Sequence, residues 1–102
     1  MPIALKRLPD AVRDIAEAGL WHEDQEPGLG SRFYDEVEEV INSLPETALH
    51  HRKRFANVRR ANLPTFPYAV FYEVKQQVVE IFAVLHGARH PRLARQRHRR
   101  RR

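Results

Sequence analysis

The chain opens on a short, mostly apolar run, Ile3-Ala4-Leu5-Lys6-Arg7-Leu8, set between Pro2 and Pro9, which predicts a strand. Pro9 followed by Asp10 then predicts a helix start: proline lacks only a hydrogen that has no partner in the first turn, and a carboxylate complements the positive end of the helix dipole. Ala11, Ile15, Ala18 and His22, with Val12, Gly19 and Leu20 beside them, give that helix one apolar face as far as about residue 23. A turn at 25–30 contains Pro27, Gly28 and Gly30. Phe33, Val37, Val40, Ile41 and Leu44 then follow the three-four spacing of a second helix, with Asp35, Glu36, Glu38 and Glu39 on its outer side. Pro45 is expected to stop this helix, and the acidic run is expected to be a solvated face.

Beyond a basic loop, the periodicity changes from helical to alternating. Residues 55–63, 68–75 and 78–86 read as three strands, the last two joined only by Gln76-Gln77 and hence a tight antiparallel hairpin. In the last strand Val79, Ile81, Ala83 and Leu85 are expected to share the face under the helices, leaving Val78, Glu80, Phe82, Val84 and His86 on the other. The predicted fold class is α+β: an N-terminal strand, a two-helix hairpin, then a three-stranded antiparallel meander, with the helices covering one face of the sheet. The opposite face also carries large side chains, so it is expected to stay available to a partner.

A chain of 102 residues with 42% hydrophobic content is enough for one core and too small for two. No apolar run reaches the roughly 18 residues that cross a bilayer, and the first residues lack the pattern of a secretory signal, so a cytoplasmic protein with no membrane partner is expected. The absence of cysteine excludes disulfides, thiolate metal sites and cysteine nucleophiles. The net charge of +5 is unevenly placed. Eight of the eighteen basic residues are arginines after position 88; without them ten bases face thirteen acids, a net −3. The expected organisation is one domain over 1–91 and a basic C-terminal tail over 92–102. The ending RQRHRRRR reads equally as a disordered solvated tail or as a nucleic-acid contact.

Three segments together resemble the RelE/ParE superfamily of type II toxins, the toxin halves of toxin-antitoxin modules that are often described as plasmid stabilisation proteins. They are PGLG at 27–30 leading into RFYDEVEEVINSL, RFANVRRANLPTFPYAVFYEV at 54–74, and VVEIFAVLHGARHP at 78–91. The resemblance covers nearly the whole chain in the right order. It implies a toxin held inactive by a cognate antitoxin, whose extended segment wraps it over apolar positions such as Phe71, Phe82 and Val84. Within the superfamily, ParE-like members poison DNA gyrase, whereas RelE-like members act with the ribosome and cut messenger RNA. The fold does not choose between them.

RNA cleavage without a metal needs a base for the 2′-hydroxyl, cations around the phosphate and an acid for the leaving oxygen. Arginine can fill only the second role. Arg54, Arg59, Arg60 and Arg89, positions that resemble the basic strand and terminal arginine of RelE-like nucleases, are with Arg92 the candidates for phosphate or target binding. His86, His90 and Glu73 are the acid–base candidates if the chain is RelE-like. Arg59 and Arg60 must point to opposite faces of their strand, so one of them is expected to pair with an acid on the helices. His86 and His90 have a helical metal-pair spacing, but Gly87 and Pro91 oppose a helix there; no metal, cofactor or small-molecule substrate is expected. Superfamily nucleases often carry a tyrosine or histidine near the C-terminus, and this chain has no tyrosine after Tyr72. The ending AVLHGARHP is closer to ParE-like chains, which favours gyrase inhibition by binding, with ribosome-dependent RNA cleavage as the alternative.

Overall fold

The computed structural model describes residues 3–88 and 92–101. Strand β1 (Ala4–Arg7) leads into helix α1 (Pro9–Gln25) and helix α2 (Leu29–Thr47). Strands β2 (Lys53–Phe55), β3 (Val58–Asn62), β4 (Tyr68–Lys75) and β5 (Val78–His86) follow, and helix α3 (Leu93–Arg100) ends the chain. One five-stranded sheet results, in the order β1-β5-β4-β3-β2. It is antiparallel except that β1 runs parallel to β5. The α+β order read from the sequence is present, and the segment expected as one strand over 55–63 is two, turning at Ala56, whose φ is 46°.

The α1–α2 hairpin is tight because two glycines meet in it. A Cβ on Gly30 would lie 2.7 Å from the backbone oxygen of Gly19, and one on Gly19 would collide with the Tyr34 ring. Glu23 at the end of α1 accepts hydrogen bonds from the Gly28 and Gly30 N–H groups, at 3.0 Å for Gly30, and so caps the start of α2. Pro45 does not stop α2. The helix runs two residues further, because a proline near the last turn removes one hydrogen bond while Ala48 N–H still reaches Leu44 O.

The acidic face of α2 is only partly solvated. Glu38 takes a two-pronged bond from Arg7 of β1, at 2.6 and 2.8 Å, and Glu36 accepts the N–H groups of Thr65 and Phe66. The bond from Arg7 holds the Glu38 carboxyl below its ordinary value. Partial burial pushes Glu36 up, but the two backbone donors outweigh it and its pKa is lowered. These carboxylates tie α2 to β1 and to the β3–β4 loop.

Between Phe71 and Tyr72 the β4–β5 register slips: Tyr72 faces Ile81 while Phe71 faces Ala83, so Phe82 is an extra residue in β5. Such a bulge reverses the alternation beyond it. Val79, Ile81 and Val84 therefore belong to the core under α1 and α2, together with Phe33, Val37, Ile41, Leu44 and Tyr72. Phe82, Ala83 and Leu85 join Val58, Ala69 and Phe71 on the opposite face. This corrects the expected faces of β5: Ala83 and Leu85 are not under the helices, and Val84 is.

The second face of the sheet is not open either. Helix α3 lies on it, burying Ala94 among Phe71, Phe82 and Leu85. Ala94, Arg97, His98 and Arg101 recur at helical spacing on its inner side. Arg97 forks onto Asp14 of α1, with the Nη2–Oδ1 bond at 2.8 Å. Arg101 donates to Glu73 at 2.9 Å and to Glu80 at 2.6 Å, with its guanidinium 4.7 Å from the centre of the Phe82 ring. The arginine-rich end is thus a docked helix over this stretch, held by carboxylates that the sequence places far away.

Candidate functional site

His86 ends β5 opposite Tyr68, the two rings meeting edge to face at 5.3 Å. Its Nδ1 accepts the Ala88 N–H at 3.0 Å, which leaves Nε2 to carry the proton of the neutral ring. Among the clefts that adjoin it, two hold more than one charged side chain. One, of about 190 Å³, has Asp14 and Glu17 of α1 in its wall with Tyr68. The other, of about 250 Å³, lies between the sheet and α3 and has Arg54, Arg60 and Arg95 in its wall.

The candidates from the sequence are only partly brought together. Arg60 shares its side of the sheet with Phe71, its partner across the strands, and meets Arg54 at the cleft. Its pKa is lowered first by burial, then by Arg54 and Arg52. Arg59 is on the helix side, as the alternation requires, but among the described residues it does not form the expected pair with an acid: its Nη1 donates to the carbonyl oxygens of His51 at 2.7 Å and Leu49 at 3.4 Å. It thereby fastens the segment after α2 to the sheet. Beside it Tyr72 is fully buried, donates to Ala48 O at 2.7 Å, and has its pKa pushed up by burial to about 12. Arg92 is exposed ahead of α3. Arg89 and His90 lie outside the described residues.

Glu73 is separated from His86. It faces Glu80 at the far end of the ladder in which His86 faces Tyr68, five residues along β4 and roughly 17 Å away at about 3.4 Å per residue. Arg101, His98 at 3.4 Å and Lys75 at 3.8 Å surround it. A carboxylate so compensated is a structural anchor for α3. Phe71 and Phe82 lie under α3, with Phe82 1% exposed, and Val84 is buried beneath α1, where its N–H donates to Asp14 at 2.9 Å. The three positions expected to meet an antitoxin together are thus covered, two on one face and one on the other.

Arg95, Asp14 and Glu80 escaped the sequence reading. The signal for α3 was the spacing of Ala94, Arg97, His98 and Arg101, hidden because three of those four residues are basic. Among the described residues no group of three histidines or acids is placed to hold a metal ion, and no helix is long and apolar enough to cross a membrane.

A family model for the ParE toxin of the type II toxin-antitoxin system parDE matches residues 5–91. The chain belongs to the ParE toxin family. The fold of this ParE-family toxin is similar to that of a chain in the chromosomal ParDE TA system from P. aeruginosa, with a TM-score of 0.74 and 18% identity, covering 82% of this chain and 95% of that one. It is also similar to a chain of the toxin-antitoxin complex RelBE2 from Mycobacterium tuberculosis, with a TM-score of 0.61 and 20% identity, covering 84% and 99%. No curated protein matches the sequence significantly. The toxin is thus a member of the RelE/ParE superfamily, and helix α3 lies beyond the stretch that the ParE model matches.

Proposed function

We propose that this ParE-family toxin acts in the cytoplasm by binding DNA gyrase and stalling it, with no bond-breaking chemistry of its own, and that a cognate antitoxin neutralises it. The observation that supports this reading is the separation of Glu73 from His86, with Glu73 committed to Arg101 and His98. Proton transfer at a phosphodiester needs its acid and base within hydrogen-bond reach of one another's substrate atoms, and a gap of roughly 17 Å precludes that for this pair. An antitoxin is expected because the two similar structures described above come from toxin-antitoxin systems. One that engaged Phe71 and Phe82 would have to move α3, whereas Val12, Leu20 and Trp21 of α1 are exposed as they stand.

The test is supercoiling by purified gyrase. Inhibition with accumulation of cleaved DNA complexes is the expected result, and unchanged supercoiling at saturating toxin removes the proposal.

A second reading has one observation in its favour: His86 adjoins the arginine cleft, which joins a proton-exchanging group to phosphate-binding groups. Translating ribosomes would then show messenger RNA cuts at the A site that vanish in His86→Ala with His90→Ala. Cuts that persist in that variant exclude these histidines as the chemistry.

A further inference from the structure

The cleft beside α3 concentrates positive charge that nothing described neutralises. Arg54 comes from β2, Arg60 from β3 and Arg95 from α3, and none of its described lining residues is an acid. The contrast with the other part-buried arginines is sharp: Arg7 has Glu38, Arg97 has Asp14, Arg101 has Glu73 and Glu80, and Arg59 has two backbone carbonyl oxygens. Arg60 has none of these. Its Nε is buried with no hydrogen-bond partner among the described residues. A guanidinium drawn out of water and left beside two others costs free energy unless an anion fills the gap.

Arg95 is held in place for such an anion, its guanidinium 4.4 Å from the centre of the Phe55 ring. Helix α3 is therefore what completes the cleft, closing over the sheet face and adding the third arginine. That helix is outside the part of the chain that the family model matches.

We propose that the cleft formed by Arg54, Arg60 and Arg95 is a phosphate site that grips the phosphodiester backbone of a nucleic acid. Guanidinium forks match phosphate oxygens in pairs, which favours Arg over any other residue for this task. Exposed cations continue out of the cleft on both sides: Arg52 precedes β2, and Arg99 stands one helical turn, about 6 Å of rise, beyond Arg95. A polymer with regularly repeated phosphates meets such a row, whereas a single anion meets only its centre. An acidic peptide suits it less well, because peptide binding draws on apolar anchors and the three rings here are already taken, Phe71 by burial, Phe55 by Arg95 and His86 by Tyr68. With no ring free to stack a base, recognition should be independent of sequence.

The experiment is fluorescence anisotropy of the full chain with labelled single-stranded DNA, single-stranded RNA and duplex DNA of one sequence, between about 50 and 200 mM salt. Neither gyrase nor ribosome is present, so the outcome is separate from that of the target assays. Arg60→Gln with Arg95→Gln should weaken binding about tenfold and flatten the salt dependence by about one to two in log–log slope. Arg99→Gln with Arg100→Gln removes equal charge outside the cleft and should cost clearly less. Arg54→Gln, at an exposed position, gives a variant that keeps its fold and should weaken binding by about half as much on a logarithmic scale. Equal losses from the cleft pair and the outer pair would overturn the site in favour of diffuse charge. So would unaltered nucleic-acid affinity in a cleft variant that no longer binds the antitoxin, since the cleft would then be a carboxylate site. Preference among the three oligonucleotides identifies which backbone the cleft grips, and absence of wild-type binding to all three refutes the proposal.

Discussion

Arg97 of α3 and Asp14 of α1 form a forked ion pair across 83 positions of sequence, with both side chains nearly buried, 11% and 8% exposed. The bond to Asp14 raises the Arg97 pKa further above its ordinary value. Asp14 also accepts the Val84 N–H, so a single carboxylate links both helices' attachment to β5. Removing one partner of a buried pair leaves the other charge uncompensated, at a cost of about 3 kcal/mol. Arg97→Ala should therefore lower Tm by about 10 °C or more for a chain of this size, and should increase binding of a hydrophobic dye as α3 loosens over Phe82. A Tm close to wild type would show that α3 does not depend on this pair.

The Arg7–Glu38 pair makes a smaller, pH-dependent contribution. The folded pKa of Glu38 lies below its ordinary 4.5, so its contribution is complete above that value and is lost as the pH falls through the folded one. Both side chains are about a third or more exposed, which limits the effect to about 0.5–1 kcal/mol. Urea unfolding of Glu38→Gln should show a deficit of that size at neutral pH that closes as the pH falls below the ordinary carboxylate range. A deficit that persists undiminished in acid would assign the loss to packing rather than charge.

The β4–β5 turn carries Gln76 and Gln77 at φ of 50° and 65°, a left-handed pair for which side chains with a Cβ are strained. Gln76→Asn with Gln77→Gly fits the same geometry without that strain. The denaturation midpoint should rise by the equivalent of about 1 kcal/mol with an unchanged m value. A decrease would mean that the glutamines make contacts worth more than the backbone strain.

The two glycines of the helical hairpin should respond differently. Ala at position 30 meets the backbone oxygen of Gly19, which cannot move without shifting α1, whereas Ala at position 19 meets the end of the Tyr34 ring, which can swing toward solvent. Gly30→Ala should cost about 1–3 kcal/mol net of the gain in helix propensity, and Gly19→Ala less. Equal thermal shifts for the two variants would contradict this ranking.

The helices were legible because Phe33, Val37, Ile41 and Leu44 of α2 and Ala11 and Ile15 of α1 keep one period throughout and are all buried. The faces of β5 were legible only as far as Phe82. From Ala83 onward the alternation in the sequence is unbroken while the side chains change sides, since a bulge is a property of the pairing with β4 and leaves no mark on a single strand's period. The candidate site was half legible: Arg54 and Arg60 were found through the resemblance to a basic strand, but Arg95 needed α3 to be in place.

The sequence by itself determined the α+β order, the buried faces of both long helices and the opposite facing of Arg59 and Arg60, because each of these follows from local periodicity and the geometry of neighbouring residues. Only the tertiary structure decided that the arginine-rich end docks as a helix and that two of its charges are spent inside the molecule. A polar segment reveals its inner face only when distant carboxylates, here Asp14, Glu73 and Glu80, are folded into reach of its guanidinium groups.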